Sequence, residues 1–235
     1  MIAGNLDTLL SLQREQPRPF LYETACCASI PIIRTLEHYY GTSEIGGIEG
    51  IVNGTTNYIL TRMVRNDLSF DDALRLAQSN GFAESDPSMD IEAFDAKFKL
   101  CLLATHASGV VIPVDKVFNY GISSVTREDI AWAQSFGCTV KLVARATRNG
   151  DQLSAAVLPQ FVPPHHPLAG VENEYNGVLV HTPYSDAQFF HGRGAGGRPT
   201  ASAAVADIAA AASEYRYGYD KLNAGSKPDF TNEVF

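Results

Sequence analysis

Asp95 and Lys99 stand four residues apart in a stretch dominated by Phe94, Phe98, Leu100, Cys101, Leu102, Leu103 and Ala104. On a helix that spacing puts acid and base on one face. At a surface such a pair contributes only about 0.3–0.5 kcal/mol. Withdrawn from water it acquires chemistry: burial pushes a lysine toward neutrality, which suits proton transfer, and an adjacent carboxylate holds it charged and aligned. Lys97, with Ala93 and Cys101 as its four-residue neighbours, reads as a solvated surface lysine.

Upstream, Glu84, Asp86 and Asp90 put three carboxylates at the mouth of the same helix. Capping and dipole complementarity account for Asp86 and for Asp90, read as the N-cap. Glu84 follows Gly81-Phe82-Ala83, outside any helix it could cap, and is free to meet a ligand ammonium or hydroxyl. The trio lacks the glycine and terminal glutamate of a calcium loop. Asn53-Gly54-Thr55-Thr56-Asn57-Tyr58 is a strand-to-helix turn, either a plain cap or an amide-lined seat for a carboxylate, the two readings being even. Glu23, ahead of the small-residue run 24–29, offers a carboxylate and free carbonyls to a monovalent cation, although a tight strand-helix junction explains it more simply. Gly192, Gly194 and Gly197 satisfy G-x-G-x-x-G, but a Rossmann unit needs a second parallel strand and a later acidic residue, and neither follows. The six histidines have no metal spacing and no nucleophile partner and are read as structural or surface residues.

These residues need elements to position them. Leu6, Leu9, Leu10 and Leu12 predict an opening helix that stops before Pro17. A strand is expected over 20–23, and a helix from Pro31 to about residue 38. Ile45, Ile48, Ile51 and Val52 predict a strand ending at Asn53-Gly54, with a helix following from Thr55. Ser69 caps a helix that ends at Asn80-Gly81. One long helix is predicted over 90–106 and another over 126–136. The Asn149-Gly150 turn joins strands over 139–146 and 153–158 into a hairpin, and two more short strands lie around 178–181 and 188–191. An Ala-rich helix follows Gly197. Hairpin signals outnumber strand-helix-strand units, which predicts a single α+β domain over 1–235 with a mixed, mainly antiparallel sheet covered by helices.

Composition narrows the function. The 235 residues, 45% hydrophobic and 19% charged, suffice for a proper core without staples. A net charge of −8, from 18 basic and 26 acidic residues, offers no basic stripe for nucleic acid or an anionic membrane. No apolar run reaches the length of a membrane span and no signal segment opens the chain, so a cytoplasmic protein is expected, with Asn53-Gly54-Thr55 a glycosylation motif by pattern only. Cys26, Cys27, Cys101 and Cys138 lack metal spacing and read as reduced thiols.

The segment from Gly81 through Phe82, Glu84, Asp86, Pro87 and Asp90 to Asp95 and Lys99 closely resembles homoserine dehydrogenase. So does Gly50-Ile51-Val52-Asn53-Gly54-Thr55-Thr56-Asn57-Tyr58-Ile59, with Glu23 and Ile30-Pro31-Ile32-Ile33 before it and Gly192-Arg193-Gly194-Ala195-Gly196 near the end. The resemblance covers nearly the whole chain. It implies NAD(P)H-dependent reduction of aspartate 4-semialdehyde to L-homoserine, on the route to threonine, methionine and isoleucine, by a homodimer. It implies Lys99 as proton donor to the aldehyde oxygen, Asp95 as its partner at the substrate hydroxyl, and Glu84 as the grip on the substrate ammonium. Gly54, Thr55 and Phe82 would line the pocket, Gly194 and Gly196 would approach the nicotinamide ribose, and Glu23 with the carbonyls of Cys26, Ala28 and Ile30 would form a sodium site.

The chain departs from the family pattern at Cys27, Ser29 and Ala93, where the family has glycine-rich residues. The N-terminal Rossmann domain of the resembled family, with its lysine, and a C-terminal regulatory domain are both expected to be absent. Choice between NAD and NADP is therefore not legible. Two outcomes follow: a catalytic chain that needs a nucleotide domain for turnover, or a non-catalytic dimerising domain that binds substrate.

Overall fold

The computed structural model describes residues 1–16 and 18–234. The elements run α1 (Leu6–Glu15), α2 (Ile32–His38), β1 (Gly47–Ile51), α3 (Gly54–Asn66), α4 (Phe70–Ser79), α5 (Ser88–Ile91), α6 (Phe94–Ser108), β2 (Phe118–Asn119) and α7 (Arg127–Ser135). They continue with β3 (Thr139–Asn149), β4 (Gln152–Val162), β5 (Tyr175–Thr182), β6 (Asp186–Arg193), α8 (Gly197–Ala212), α9 (Asp220–Asn223) and β7 (Asp229–Phe230). The strands form one sheet in the order β2-β4-β3-β1-β5-β6, with β7 also on β4. Every long pairing is antiparallel; only the two-residue β2 and β7 run parallel to β4.

The register follows from side-chain alternation. Ile48 and Gly50 of β1 pair with Ala146 and Ala144 of β3 and with Val180 and Val178 of β5, turning one sheet face toward the helices. Small residues there let α6 press close to the sheet. Ten of the fifteen residues of α6 are buried, which is why its sequence carries no amphipathic stripe. The opposite face holds a smaller core of Ile51, Val143, Val162, Leu168, Val171 and Leu179 beneath the segment 163–174.

Caps set the helix starts: Asn53 for α3, Ser69 for α4, and a Thr126–Asp129 capping box for α7.

Three expectations fail. Residues 20–23 form no strand; local bonds from Ala25 to Tyr22 and from Cys26 to Glu23 make a 3-10 turn over Glu23–Ala25, because the Glu23 carboxylate is drawn down to the start of α2. The helix over 90–106 is two helices, broken at Ala93 with φ 65°. Asp90 accordingly lies inside α5 and caps nothing.

Candidate active site

The break at Ala93 makes the site possible. On one continuous helix Asp90 and Asp95, five residues apart, would point about 140° from each other. The left-handed turn lets both carboxylates converge on the amide of Asn53, whose Nδ2 donates to Asp90 Oδ1 at 2.7 Å and to Asp95 Oδ2 at 2.8 Å. Neighbouring backbone holds the break: Ile122 N–H donates to the Ile91 carbonyl at 2.7 Å, and any β-carbon at Gly121 would collide with that carbonyl. Asn119 Nδ2 donates to the Glu92 carbonyl at 2.8 Å.

Asp95 Oδ2 also receives Lys99 Nζ at 2.7 Å, and Lys99 donates a second bond to the Val52 carbonyl at 3.1 Å. The lysine side chain is 18% exposed and the aspartate 32%, a pair open to solvent on one side only. Burial works against the Lys99 charge, but Asp95 outweighs it and lifts the ammonium above the ordinary lysine range. The lysine is thus a charged proton donor rather than a neutral base, with one N–H left after Asp95 and Val52. Lys97, expected in solvent, is buried: its Nζ donates to Asn119 Oδ1 at 2.6 Å and lies 5.0 Å from the centre of the Phe94 ring. Two residues apart, about 200° around the helix, the two lysines lie on opposite faces, and of the two only Lys99 meets a carboxylate.

Gly54 and Thr55 open α3 beside this pair. Their amides precede the Asn53–Thr56 cap bond and have no intrahelical partner. A β-carbon at Gly54 would press on the Glu174 carbonyl, so glycine is required there by close approach. Thr55 Oγ1 donates to the Phe82 carbonyl at 2.8 Å, and the Phe82 ring stacks on Tyr58 at 4.4 Å. That bond brings the loop carrying Glu84 over the start of α3. The Glu84 side chain is exposed, and its main-chain carbonyl accepts from Gln78.

The turn from Cys26 to Ile30 lies on the other flank of Lys99, close enough for its charge to act on both Cys26 and Cys27. Burial pushes the Cys27 thiol up to about 11 and Cys26 well above its usual value, so neither is a nucleophile. Cys27 and Ala28 are left-handed, with φ 56° and 39°, and Ala93 makes a third such residue. Ser29 donates N–H and Oγ to the Arg193 carbonyl at 3.2 and 2.9 Å, tying the glycine loop to this turn. Gly194 packs against Asn176, where a β-carbon would collide, and Gly196 has φ 119°, open to glycine alone. The amide of Asn176 is fully buried, and the thiol of Cys27 is a polar side chain that reaches it. The glycine fingerprint joins an antiparallel strand to a helix, outside any Rossmann crossover.

Glu23 is buried, accepting N–H groups from Ile33 at 2.7 Å and Arg34 at 2.8 Å at the start of α2. Burial still raises it to about 7.

Sequence reasoning brought together Lys99, Asp95, Gly54, Thr55 and Phe82. It missed Asn53 as a bridge and set Asp90 aside as a cap, because a capping asparagine already has a sufficient explanation at the sequence level. Asn176 gave no signal.

Residues 31–209 match the family model of homoserine dehydrogenase. The homoserine dehydrogenase of Bacillus subtilis is 39% identical over 210 residues, covering 89% of this chain and 48% of that protein. A homoserine dehydrogenase crystal structure from Thiobacillus denitrificans superposes with a TM-score of 0.91 at 32% identity, over 98% of this chain and 55% of that one. A hyperthermophilic archaeal homoserine dehydrogenase in complex with NADPH superposes with a TM-score of 0.79 at 30% identity, over 92% and 62%. The chain spans about half the length of the curated relatives it matches.

Proposed function

This chain belongs to the homoserine dehydrogenase family, and from that premise we propose that it carries the substrate half of a site interconverting aspartate 4-semialdehyde and L-homoserine. The observation that carries the reading is the Lys99–Asp95 pair, charged, aligned by Val52 and Asn53, and open on one side. Lys99 delivers a proton to the aldehyde oxygen as it gains charge, from a position fixed by its two other bonds. Asp95 holds Lys99 charged and meets the substrate hydroxyl. Glu84, exposed beside the α3 start, grips the substrate ammonium, while the free amides of Gly54 and Thr55 orient the substrate alongside Phe82.

The reduced cofactor, NADPH or NADH, would supply the hydride when bound. The residues present fit one edge of it: Gly196 has a backbone only glycine adopts freely, so no side chain stands between its main chain and the cofactor. A monovalent cation such as sodium fits Glu23 with the carbonyls of Cys26, Ala28 and Ile30, since this buried carboxylate is short of positive charge. We further read the protein as a cytoplasmic homodimer acting in threonine, methionine and isoleucine synthesis, without nucleic-acid or membrane partners. Its net charge of −8 supports the exclusion of nucleic-acid and anionic-membrane partners, and among the described residues no helix is long and apolar enough to cross a membrane.

Calorimetric titration of homoserine tests the reading directly. Saturable binding that Glu84→Ala weakens at least about tenfold supports it; absence of binding at millimolar homoserine overturns it. Turnover is followed through the absorbance of reduced cofactor with homoserine and NADP⁺ or NAD⁺. Asp95→Ala then separates two roles, a loss confined to KM marking a binding residue and a loss in kcat a member of the proton path.

A further inference from the structure

Asn53 has a carboxamide with four possible hydrogen-bond positions, two donating and two accepting, and all four are taken, by three residues. Its Oδ1 accepts the Thr56 N–H at 2.9 Å and Thr56 Oγ1 at 3.0 Å. Its Nδ2 gives one hydrogen to Asp90 on α5 and the other to Asp95 on α6, at 2.7 and 2.8 Å. The residue is 4% exposed. An N-cap needs only the oxygen. The nitrogen does something else: it bridges two helices across their break and takes hold of the oxygen that Lys99 uses, since Asp95 Oδ2 receives both Asn53 Nδ2 and Lys99 Nζ.

We propose that Asn53 is a positioning residue, whose NH₂ group pins Asp95 against Lys99 and so fixes where the ammonium points. Its role in turnover rests on the function proposed above; its hold on the pair does not. Asp95 is one-third exposed, and a free carboxylate in that position rotates toward water. Pinned by Asn53, it stays where it offsets the burial of Lys99. The groups acting on Lys99 are Asp95, on its own helix, and the thiols of Cys26 and Cys27 from the facing turn; the thiols stay protonated. Among the described residues Asp95 is the charge that acts most strongly on Lys99, so its displacement moves Lys99.

Asn53→Ser separates the two jobs, because serine caps a helix as well as asparagine but cannot span two carboxylates. The readout is the titration of Lys99 followed by NMR of labelled lysine in the full chain. The expected result is a fall of about one pH unit in Asn53→Ser, in the direction given by Asp95→Asn, and no shift in Thr56→Val, which weakens the same cap but spares the bridge. An unchanged or raised Lys99 titration in Asn53→Ser overturns the proposal. If Asn53→Ser does not fold, the side-chain amide protons of Asn53 in the unaltered protein decide: both slow to exchange with solvent, with one signal moved by Asp90→Asn and the other by Asp95→Asn, supports the bridge, and fast exchange of either overturns it. None of these measurements needs turnover, so a protein that proves inactive with homoserine would defeat the functional reading and leave the bridge standing.

Discussion

Glu23 and Glu49 are the same residue type at nearly the same exposure, 4% and 5%, on opposite sides of the sheet, and their carboxyl groups are displaced in opposite directions. Burial alone raises both. At Glu49, on the outer face of β1, it is overcome by His181 and His166 at 3.0 and 3.1 Å and by Arg145 at 2.6 and 2.9 Å, so the carboxyl falls to about 2. Glu23 has two backbone N–H donors and Arg34 no nearer than 3.8 Å, which do not suffice, and it rises to about 7. The outer cluster is electrically complete. The helix-side turn next to Lys99 is left short of one positive charge. A group complete within the chain is architecture; the incomplete one is where the cation proposed above would bind.

The largest effects come from titrating the two carboxyls against each other. Glu23 has a folded value above the unfolded 4.5, so the native state holds its proton more tightly; stability is fully present below 4.5 and declines as pH rises through 7, by on the order of 3 kcal/mol. Glu49 has a folded value below 4.5, so its stability is present above 4.5 and is lost as pH falls through 2, by a similar amount. Urea unfolding across pH 3–8 is expected to show Glu23→Gln gaining on the unaltered protein as pH rises and Glu49→Gln losing. Equal slopes would break the comparison. Sodium chloride, set against choline chloride above pH 7, sharpens it: a rise in the urea midpoint that Glu23→Gln abolishes and Glu49→Gln retains identifies Glu23 as the cation's carboxylate.

Next in size is the effect on turnover. Lys99→Ala is expected to lower kcat by about a hundredfold, equivalent to about 2.7 kcal/mol, because the proton donor is lost. Glu49→Gln is expected to leave kcat within about threefold. Steady-state assays of both variants in a preparation that turns over homoserine decide it, and near-normal turnover in Lys99→Ala would remove Lys99 from the proton path.

The contrast also marks what the sequence could reveal. Asp95 and Lys99 were legible because four-residue spacing on a helix is a local relation, and Ser69 and Asn149-Gly150 were legible as a cap and a turn for the same reason. Glu49 was silent: its partners lie 96, 117 and 132 residues away, brought together by the pairing of β1 with β3 and β5 and by the folding back of 163–174. Lys97 was misread because periodicity counts neighbours on its own helix and does not see Asn119 arriving from β2. The break at Ala93 was invisible to helix propensity, since alanine is the strongest helix former; its one signal was the glycine that the resembled family has at this position.

That break supplies the smallest effect and the sharpest test of what dictates it. Three terms act on Ala93→Gly. Relief of a left-handed alanine is worth about 1–2 kcal/mol. Glycine gives back about 0.5–1 kcal/mol through the freedom of the unfolded chain. Ala93 is fully buried, and loss of its methyl removes about 0.8 kcal/mol of burial. The terms nearly cancel, and urea unfolding of Ala93→Gly is expected within about 1 kcal/mol of the unaltered protein, with Lys99 titrating as before. Such a result would mean that the turn is imposed from outside, by Asn53 gripping Asp90 and Asp95 and by Gly121 admitting the Ile91 carbonyl, and that residue 93 merely tolerates it. A gain well above about 1 kcal/mol would mean instead that the strain at Ala93 exceeds the roughly 1–2 kcal/mol counted for it, as happens where a functional geometry overrides local preference.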